Sequence, residues 1–212
     1  MKRRSEVPPR QGAHQRPSSP LFDRSYYRIT MGRAAGNPRA KYCVTTRGGR
    51  RLLSVSSGGL LRYAARFYSD DGMKDEILVA ETTSVLAELL RVLRVYRQLS
   101  VSEGGRRIGW VRYSTTGYAP SEWVLTSSGG GKGGRILLEG AVVRGLVPMG
   151  DMILPRVYQV EVAGLGAGVI RENLFPWNME LDFSADPEGR LDRRLALAGA
   201  ILISLTDQGG NS

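Results

Sequence analysis

The sequence has little of the side-chain chemistry on which most enzymes and metal sites depend. It contains one cysteine, Cys43, and one histidine, His14, so an intrachain disulfide and a cysteine-based zinc site are both excluded. Cys43 lies in an alternating β-type run, which favours a small buried side chain over a nucleophile. The sequence shows no nucleophile motif and no carboxylate pair in an acid/base context. We therefore predict a non-enzymatic protein that needs no metal or cofactor, with a carboxylate-based enzyme as the minor alternative.

Long hydrophobic runs are also missing. The longest covers residues 195–205 and would rise only about 16 Å as a helix, whereas a hydrocarbon core is about 30 Å thick. Leucine, isoleucine and alanine occupy every face of this helix, so it has no amphipathic stripe and must be enclosed by protein. We predict a buried helix over residues 192–207 and no transmembrane span. Because no apolar run follows the basic start of the chain, we do not expect a secretory signal.

Upstream of the helix, short β-rich runs alternate with glycine-rich turns. The chain has 27 glycines against 10 prolines, which indicates many turns. Residues 41–46 and 51–56, for example, flank Gly48-Gly49 and predict a hairpin. A closed antiparallel barrel can wrap one apolar helix, so the predicted fold class is mainly β. Residues 84–96 stay ambiguous, because leucines at helical spacing compete with valines that favour a strand.

Composition divides the chain into a tail and one folded domain. Residues 1–22 are rich in Pro, Arg and Ser with almost no apolar content, so we predict a disordered basic tail. The folded domain is predicted over residues 23–208, and residues 209–212 are predicted to be flexible. The formal charge of +10 favours polyanionic partners, which include nucleic acid, anionic lipid headgroups and acidic proteins.

A glycine-rich segment, residues 127–134, has some likeness to a phosphate-binding loop. It lacks the Gly-Lys-Ser/Thr ending and the following helix of a P-loop, because residues 135–139 have the composition of a strand. We therefore predict that this segment is the tip of a hairpin.

Several short motifs in the second half of the chain belong together. They are Ile108–Val111 (Ile-Gly-Trp-Val), Glu122–Leu125 (Glu-Trp-Val-Leu), Asn173–Trp177 (Asn-Leu-Phe-Pro-Trp), Leu181–Ser184 (Leu-Asp-Phe-Ser) and Leu191–Ala198 (Leu-Asp-Arg-Arg-Leu-Ala-Leu-Ala). With these motifs the chain resembles the tubby C-terminal-like superfamily over residues 24–207, and the last motif is the most specific. That superfamily includes phospholipid scramblases, LURP-one-related proteins and small bacterial members. The resemblance implies a closed antiparallel barrel of about twelve strands that encloses the hydrophobic C-terminal helix, with residues 84–96 in strands.

The chain departs from the scramblases in two places. The loop before the last helix has been likened to a calcium site in scramblases. Here it holds Asp182, Asp186, Glu188 and Asp192, but it lacks the Asp-x-Asp-x-Asp-Gly spacing of a calcium loop and Pro187 interrupts it. We prefer a structural interpretation, in which Asp186 caps a turn and Asp192 places negative charge at the N-terminus of the helix. The cysteine cluster that is palmitoylated in animal scramblases is also missing.

The leading functional hypothesis is a non-enzymatic module that binds anionic phospholipid or phosphoinositide headgroups at a membrane surface. The candidate residues are arginines at predicted hairpin turns, where side chains project from a barrel end: Arg47, Arg50, Arg51, Arg106 and Arg107. Arginine suits bidentate contacts with phosphate, although either cluster alone is more often solvated turn charge. Since the absence of disulfides fits a reducing compartment, we expect a cytoplasmic protein at the periphery of the membrane.

Other functions remain open at this point. A protein-interaction scaffold would use Trp123 or Trp177 as its anchor if either were exposed, although both are more often core residues. Nucleic-acid binding through residues 1–22 would give steep salt dependence. Lipid scrambling is the least favoured activity, because one short helix inside a barrel provides no path for a lipid.

Overall fold

The computed structural model describes residues 19–31, 41–58, 64–70, 72–82, 97–114, 122–129, 133–140 and 155–208. Within these ranges the chain forms twelve strands and one α-helix. The strands are β1 (Tyr26–Met31), β2 (Tyr42–Thr45), β3 (Arg51–Gly58), β4 (Ala64–Tyr68), β5 (Glu76–Thr82), β6 (Arg97–Glu103), β7 (Arg106–Ser114), β8 (Glu122–Ser127), β9 (Gly134–Leu138), β10 (Val157–Val162), β11 (Leu165–Leu174) and β12 (Trp177–Asp182). The helix, α1, covers Arg193–Gln208.

The strands form one closed antiparallel barrel, as the sequence analysis predicted. Each strand pairs with its neighbours in the sequence, and β1 pairs with β12 to close the circle. In this last pair Tyr27 lies opposite Leu181 and Ile29 lies opposite Met179. All four side chains are fully buried and face the interior. Closure of the sheet removes the exposed edges that an open sheet would present.

Alternation of side chains explains why these segments are strands. In β10, Tyr158, Val160 and Val162 are buried, whereas Gln159 and Glu161 between them are partly exposed. This period of two places one face of each strand against the core and the other against solvent. Cys43 is buried and forms no disulfide, so the prediction of a small buried side chain is confirmed.

Helix α1 lies inside the barrel, and the prediction of an enclosed apolar helix is confirmed. Every residue from Leu195 to Ser204 is buried, and the helix packs against β7 and β8. Close approach depends on Gly199, where an added Cβ would lie 3.0 Å from the Cδ1 atom of Ile136. A helix without an amphipathic stripe is stable here because apolar strand residues surround it.

The barrel has two ends, which carry different features. The helix-entry end holds the turns that follow β2, β4, β6, β8 and β10, together with residues 183–192 that lead into α1. The far end holds the turn between β11 and β12. Because neighbouring strands are antiparallel, their order assigns each described turn to one end.

The described residues also bear on the predicted boundaries. Residues 20–22, which we assigned to the disordered tail, form a 3-10 turn, and Phe22 is 1% exposed in the core. The rest of the predicted tail, the ambiguous segment 84–96 and the predicted flexible end 209–212 lie outside the described residues. Strands β8 and β9 pair on either side of the glycine-rich segment, which confirms a hairpin there. None of the described helices is long and apolar enough to cross a membrane.

Candidate functional site at the helix-entry end

The loop that leads into α1 is fixed by a buried carboxylate. Asp186 accepts hydrogen bonds from the backbone N–H groups of Arg190 and Leu191, both at 3.0 Å. Its side chain is fully buried and forms ion pairs with Arg190 at 3.1 Å and Arg193 at 2.9 Å. In the ion pair with Arg193, the Nη1 atom of the arginine is not aligned to form a hydrogen bond with the carboxylate. The Nη2 atom of Arg193 donates instead to the Asp186 carbonyl oxygen at 2.7 Å.

The ionised form of Asp186 is favoured in the folded protein. Burial opposes ionisation, but the N–H donors of Leu191 and Arg190 and the charge of Arg193 outweigh it, and the pKa of Asp186 lies below its usual value. The prediction that Asp186 caps a turn is confirmed, since its carboxylate closes the turn over residues 186–191.

Asp192 stands at the N-terminus of α1. Its Oδ1 atom accepts a hydrogen bond from the backbone N–H of Arg194 at 3.0 Å, which is the geometry of an N-cap. Arg194 also donates to both Asp192 oxygens, at 2.8 and 2.6 Å, and forms an ion pair with Glu103 on β6 at 2.6 Å. These hydrogen bonds raise the pKa of Arg194. The predicted placement of the negative charge of Asp192 at the N-terminus of the helix is therefore confirmed, and the structure adds the N-cap hydrogen bond. Arg194 connects the start of the helix to the barrel wall.

A cleft of about 330 Å³ opens beside this loop, between residues 22–25 on one side and residues 186–189 and 191–194 on the other. Most of its charged groups already have partners, because Asp186, Asp192, Arg193 and Arg194 pair with one another or with the barrel. Among the described residues, no group of three or more His, Cys, Asp or Glu side chains could hold a metal ion. The cleft is the place where the helix enters the barrel, and its polar groups hold that entrance together.

The structure places both predicted arginine clusters at the helix-entry end. Arg47 and Arg50 lie in the turn between β2 and β3, and Arg106 and Arg107 begin β7 after the turn from β6. All four are exposed. In the circular strand order the first turn joins β2 to β3 and the second joins β6 to β7, four of the twelve strand positions away. The two clusters therefore share one end but stand about a third of the circumference apart.

The members of the first cluster differ in what they contact. Arg47 is 73% exposed and lies 3.4 Å from the carboxylate of Asp182, with its guanidinium 4.7 Å from the ring centroid of Tyr26. Arg51 does not project from the barrel end as predicted. It is half-buried, and its guanidinium donates to the hydroxyl of Ser54. The headgroup hypothesis therefore keeps Arg47 and Arg50 from this cluster.

The second cluster is only partly constrained. The guanidinium of Arg107 lies 5.6 Å from the ring centroid of Trp110, an outward-facing residue on the same strand. This cation–π contact holds the charge near the wall. Arg106 is exposed beside it at the very start of β7.

Neither proposed tryptophan anchor is exposed. Trp123 is 2% exposed and packs against Tyr113 with ring centroids 4.5 Å apart. Trp177 is half-buried and donates from its Nε1 atom to Glu172 at 2.9 Å. The more common interpretation, that Trp123 is a core residue, is confirmed.

Sequence reasoning missed one exposed residue, Phe175. It is 96% exposed in the turn between β11 and β12. Its position between Leu174 and Trp177 hid it, since an apolar run predicts burial. The only signal was Pro176, because proline after an aromatic residue is typical of a turn.

No protein-family model matches the chain, and no curated protein or solved structure is significantly similar to it. These comparisons therefore assign the barrel and its enclosed helix to no family. The resemblance to the tubby C-terminal-like superfamily stays a prediction.

Proposed function

We propose that this protein is a non-enzymatic module that binds anionic phospholipid headgroups at a membrane surface. The observation that carries the proposal is the position of four exposed arginines, Arg47, Arg50, Arg106 and Arg107, in or directly after turns at one end of a closed barrel. Guanidinium groups form paired hydrogen bonds with phosphate oxygens. The formal charge of +10 adds long-range attraction to an anionic surface.

We also propose membership of the tubby C-terminal-like superfamily. The support is architectural: twelve antiparallel strands close around one C-terminal helix, which is the arrangement that the resemblance implies. The motif Leu191–Ala198 supports it further, because Asp192, Arg193 and Arg194 form the capped and ion-paired entrance of that helix.

The expected affinity is modest and depends on salt. Each basic residue near an anionic leaflet contributes about 1 kcal/mol, so two to four of them give about 2–4 kcal/mol. Exposed charges are screened within about 10 Å at moderate ionic strength. Binding should therefore weaken steadily as salt is added.

Co-sedimentation with lipid vesicles tests the proposal. The variant Arg47→Gln/Arg50→Gln/Arg106→Gln removes three charges from the helix-entry end. A control with the same net charge, Arg66→Gln/Arg112→Gln/Arg135→Gln, removes three from the barrel wall. Binding to phosphatidylserine vesicles should fall about 30-fold or more in the first variant, because at least two contacts of about 1 kcal/mol each are lost. Equal binding by the two variants would refute the proposal.

A further inference from the structure

Apolar surface is exposed at the far end of the barrel. Three large hydrophobic residues among those described are exposed: Met31 at 38%, Leu165 at 59% and Phe175 at 96%. Phe175 and Met31 both lie at the far end on neighbouring strands, because Met31 ends β1 and Phe175 lies two residues before the start of the paired strand β12. Leu165 lies at the helix-entry end, after the turn between β10 and β11.

The turn that carries Phe175 is held in place by hydrogen bonds. Asn173 donates from its side chain to Asn178 across the turn at 2.8 Å, and Asn178 donates to the carbonyl oxygen of Pro176 at 2.9 Å. Leu174 and Trp177, on either side, are half-buried against the barrel. The aromatic ring of Phe175 therefore projects from a braced turn into solvent.

Cations flank this turn along one side of the barrel. The outer face of β11, β12 and β1 carries Arg171, Glu180 and Arg28 in one register row. Arg28 pairs with Glu180 at 2.8 Å. Arg47 reaches over β1 from the neighbouring turn to Asp182, and Lys41 is exposed at the far end, next to the start of β2. We call this surface, with Phe175 and Met31, the docking side.

The charge of the docking side suits an anionic surface. It carries four cations, Arg28, Lys41, Arg47 and Arg171, against two carboxylates, Glu180 and Asp182. Both carboxylates are ion-paired, so the side has a net positive charge. A protruding aromatic ring beside cations is the arrangement that favours the interface of an anionic bilayer, where aromatic residues sit at headgroup level.

We propose that the barrel lies on its docking side against an anionic bilayer, with Phe175 inserted at the interface. This rests on the proposed function and gives it an orientation. Strand β12 has six residues and spans about 20 Å, so Phe175 at one end of the strand and Arg47 at the other reach the same flat surface. Arg106 and Arg107 follow the turn between β6 and β7, which lies half-way round the barrel from β12, so they face away from this surface.

Neither part of the docking side is sufficient alone. One inserted apolar group gives only marginal, reversible attachment, and stable binding to a membrane surface takes a second signal such as a basic patch. The ring of Phe175 and the cations beside it supply those two signals. Binding should therefore weaken when either is removed.

A pair of alanine variants tests the insertion. Phe175→Ala should lower the partition coefficient on phosphatidylserine vesicles about tenfold, because the ring then no longer leaves water. Trp110→Ala removes a partly exposed aromatic side chain from the outer face of β7, on the side of the barrel away from β11, β12 and β1, and should bind as the wild type does. The high exposure of Phe175 predicts unchanged thermal unfolding of Phe175→Ala, which checks that the fold is intact.

A fluorescent probe reports the insertion directly. Cys43 is the only cysteine and is buried, so Phe175→Cys and Thr126→Cys each provide a single exposed thiol for a polarity-sensitive dye; Thr126 is exposed on β8, away from the docking side. With phosphatidylserine vesicles, emission should shift to the blue and gain intensity at position 175 and stay unchanged at position 126. A dye at position 175 that stays in water while the protein is bound would overturn the proposal.

Two double arginine variants distinguish a failure of the proposed orientation from a failure of the proposed function. Arg47→Gln/Arg50→Gln should weaken vesicle binding, whereas Arg106→Gln/Arg107→Gln should not. Equal losses in both pairs, together with an unaffected Phe175→Ala variant, would show that the barrel binds end-on and would overturn the orientation alone. Vesicle binding that is insensitive to every arginine variant would overturn the proposed function as well.

Discussion

Replacing Asp186 by asparagine should loosen the entrance of the central helix. Both oxygens of this buried carboxylate accept hydrogen bonds, Oδ1 from Arg190 and Oδ2 from Leu191. The Asp186→Asn variant therefore loses one acceptor and turns an N–H donor towards other donors. It also leaves Arg193, which is 9% exposed, without its counter-ion.

The expected cost follows from this burial. Removing one partner of a buried ion pair costs about 3–5 kcal/mol, and we take about 3 kcal/mol because asparagine keeps one acceptor oxygen. For a domain of this size that lowers the unfolding temperature by about 6–12 °C. The measurement is thermal and urea unfolding followed by circular dichroism, with the free energy of unfolding taken from the urea midpoint and slope.

Glu180→Gln is the matched control. Its ion pair with Arg28 has the same kind of charge, but the two side chains are 27% and 42% exposed. Partly exposed pairs contribute at most about 1 kcal/mol. If Asp186→Asn costs no more than Glu180→Gln, the buried carboxylate does not hold the entrance and this reasoning is refuted.

Three further predictions concern the same architecture. The folded-state pKa of Asp186 is lowered, so its contribution to stability is present above the unfolded-state pKa of about 3.9 and is lost as pH falls through the folded-state value. In urea unfolding, the difference in free energy of unfolding between wild type and Asp186→Asn should be constant from neutral pH to about pH 5. It should shrink below about pH 4. Gly168→Ala should destabilise the barrel by about 1–3 kcal/mol, because its Cβ would lie 2.6 Å from both the Asp182 carbonyl oxygen and the Phe183 ring. Gly166→Ala has open space, so equal unfolding midpoints for the two alanine variants would contradict this. Trp123→Ala should cost about 3–5 kcal/mol, measured by the same unfolding, and a small loss would show that Trp123 is not in the core.

The central helix and the fold class could be predicted from particular residues. The run from Leu195 to Leu205 is apolar on every face and too short to cross a bilayer, so burial inside protein was the remaining solution. Asp192 before that run fixed the helix start to within one residue. Gly48-Gly49 and the alternating segments around it correctly placed the β2–β3 hairpin.

The positions of the arginines around the barrel could not be predicted in the same way. Turn residues predict that a chain reverses, but only the strand order of the closed barrel shows that Arg47 and Arg106 stand about a third of the circumference apart. Arg51 does not project from the turn because it is already the first residue of β3, and its guanidinium reaches the hydroxyl of Ser54 on the same strand.

The exposure of Phe175 was hidden for a different reason. Hydrophobic residues in a row indicate a buried segment, and Leu174 and Trp177 do pack against the barrel. The turn at Phe175-Pro176 points the intervening ring outwards. The alternation of hydrophobic residues and the composition of a segment predict strands. The direction in which a single turn residue points depends instead on the backbone path between two strands.

The most direct test of the account is the binding of the unmodified protein to vesicles at physiological salt. We predict co-sedimentation with phosphatidylcholine vesicles that contain phosphatidylserine or a phosphoinositide, and little or none with phosphatidylcholine alone. Equal sedimentation with neutral and anionic vesicles, or with neither, would contradict the account.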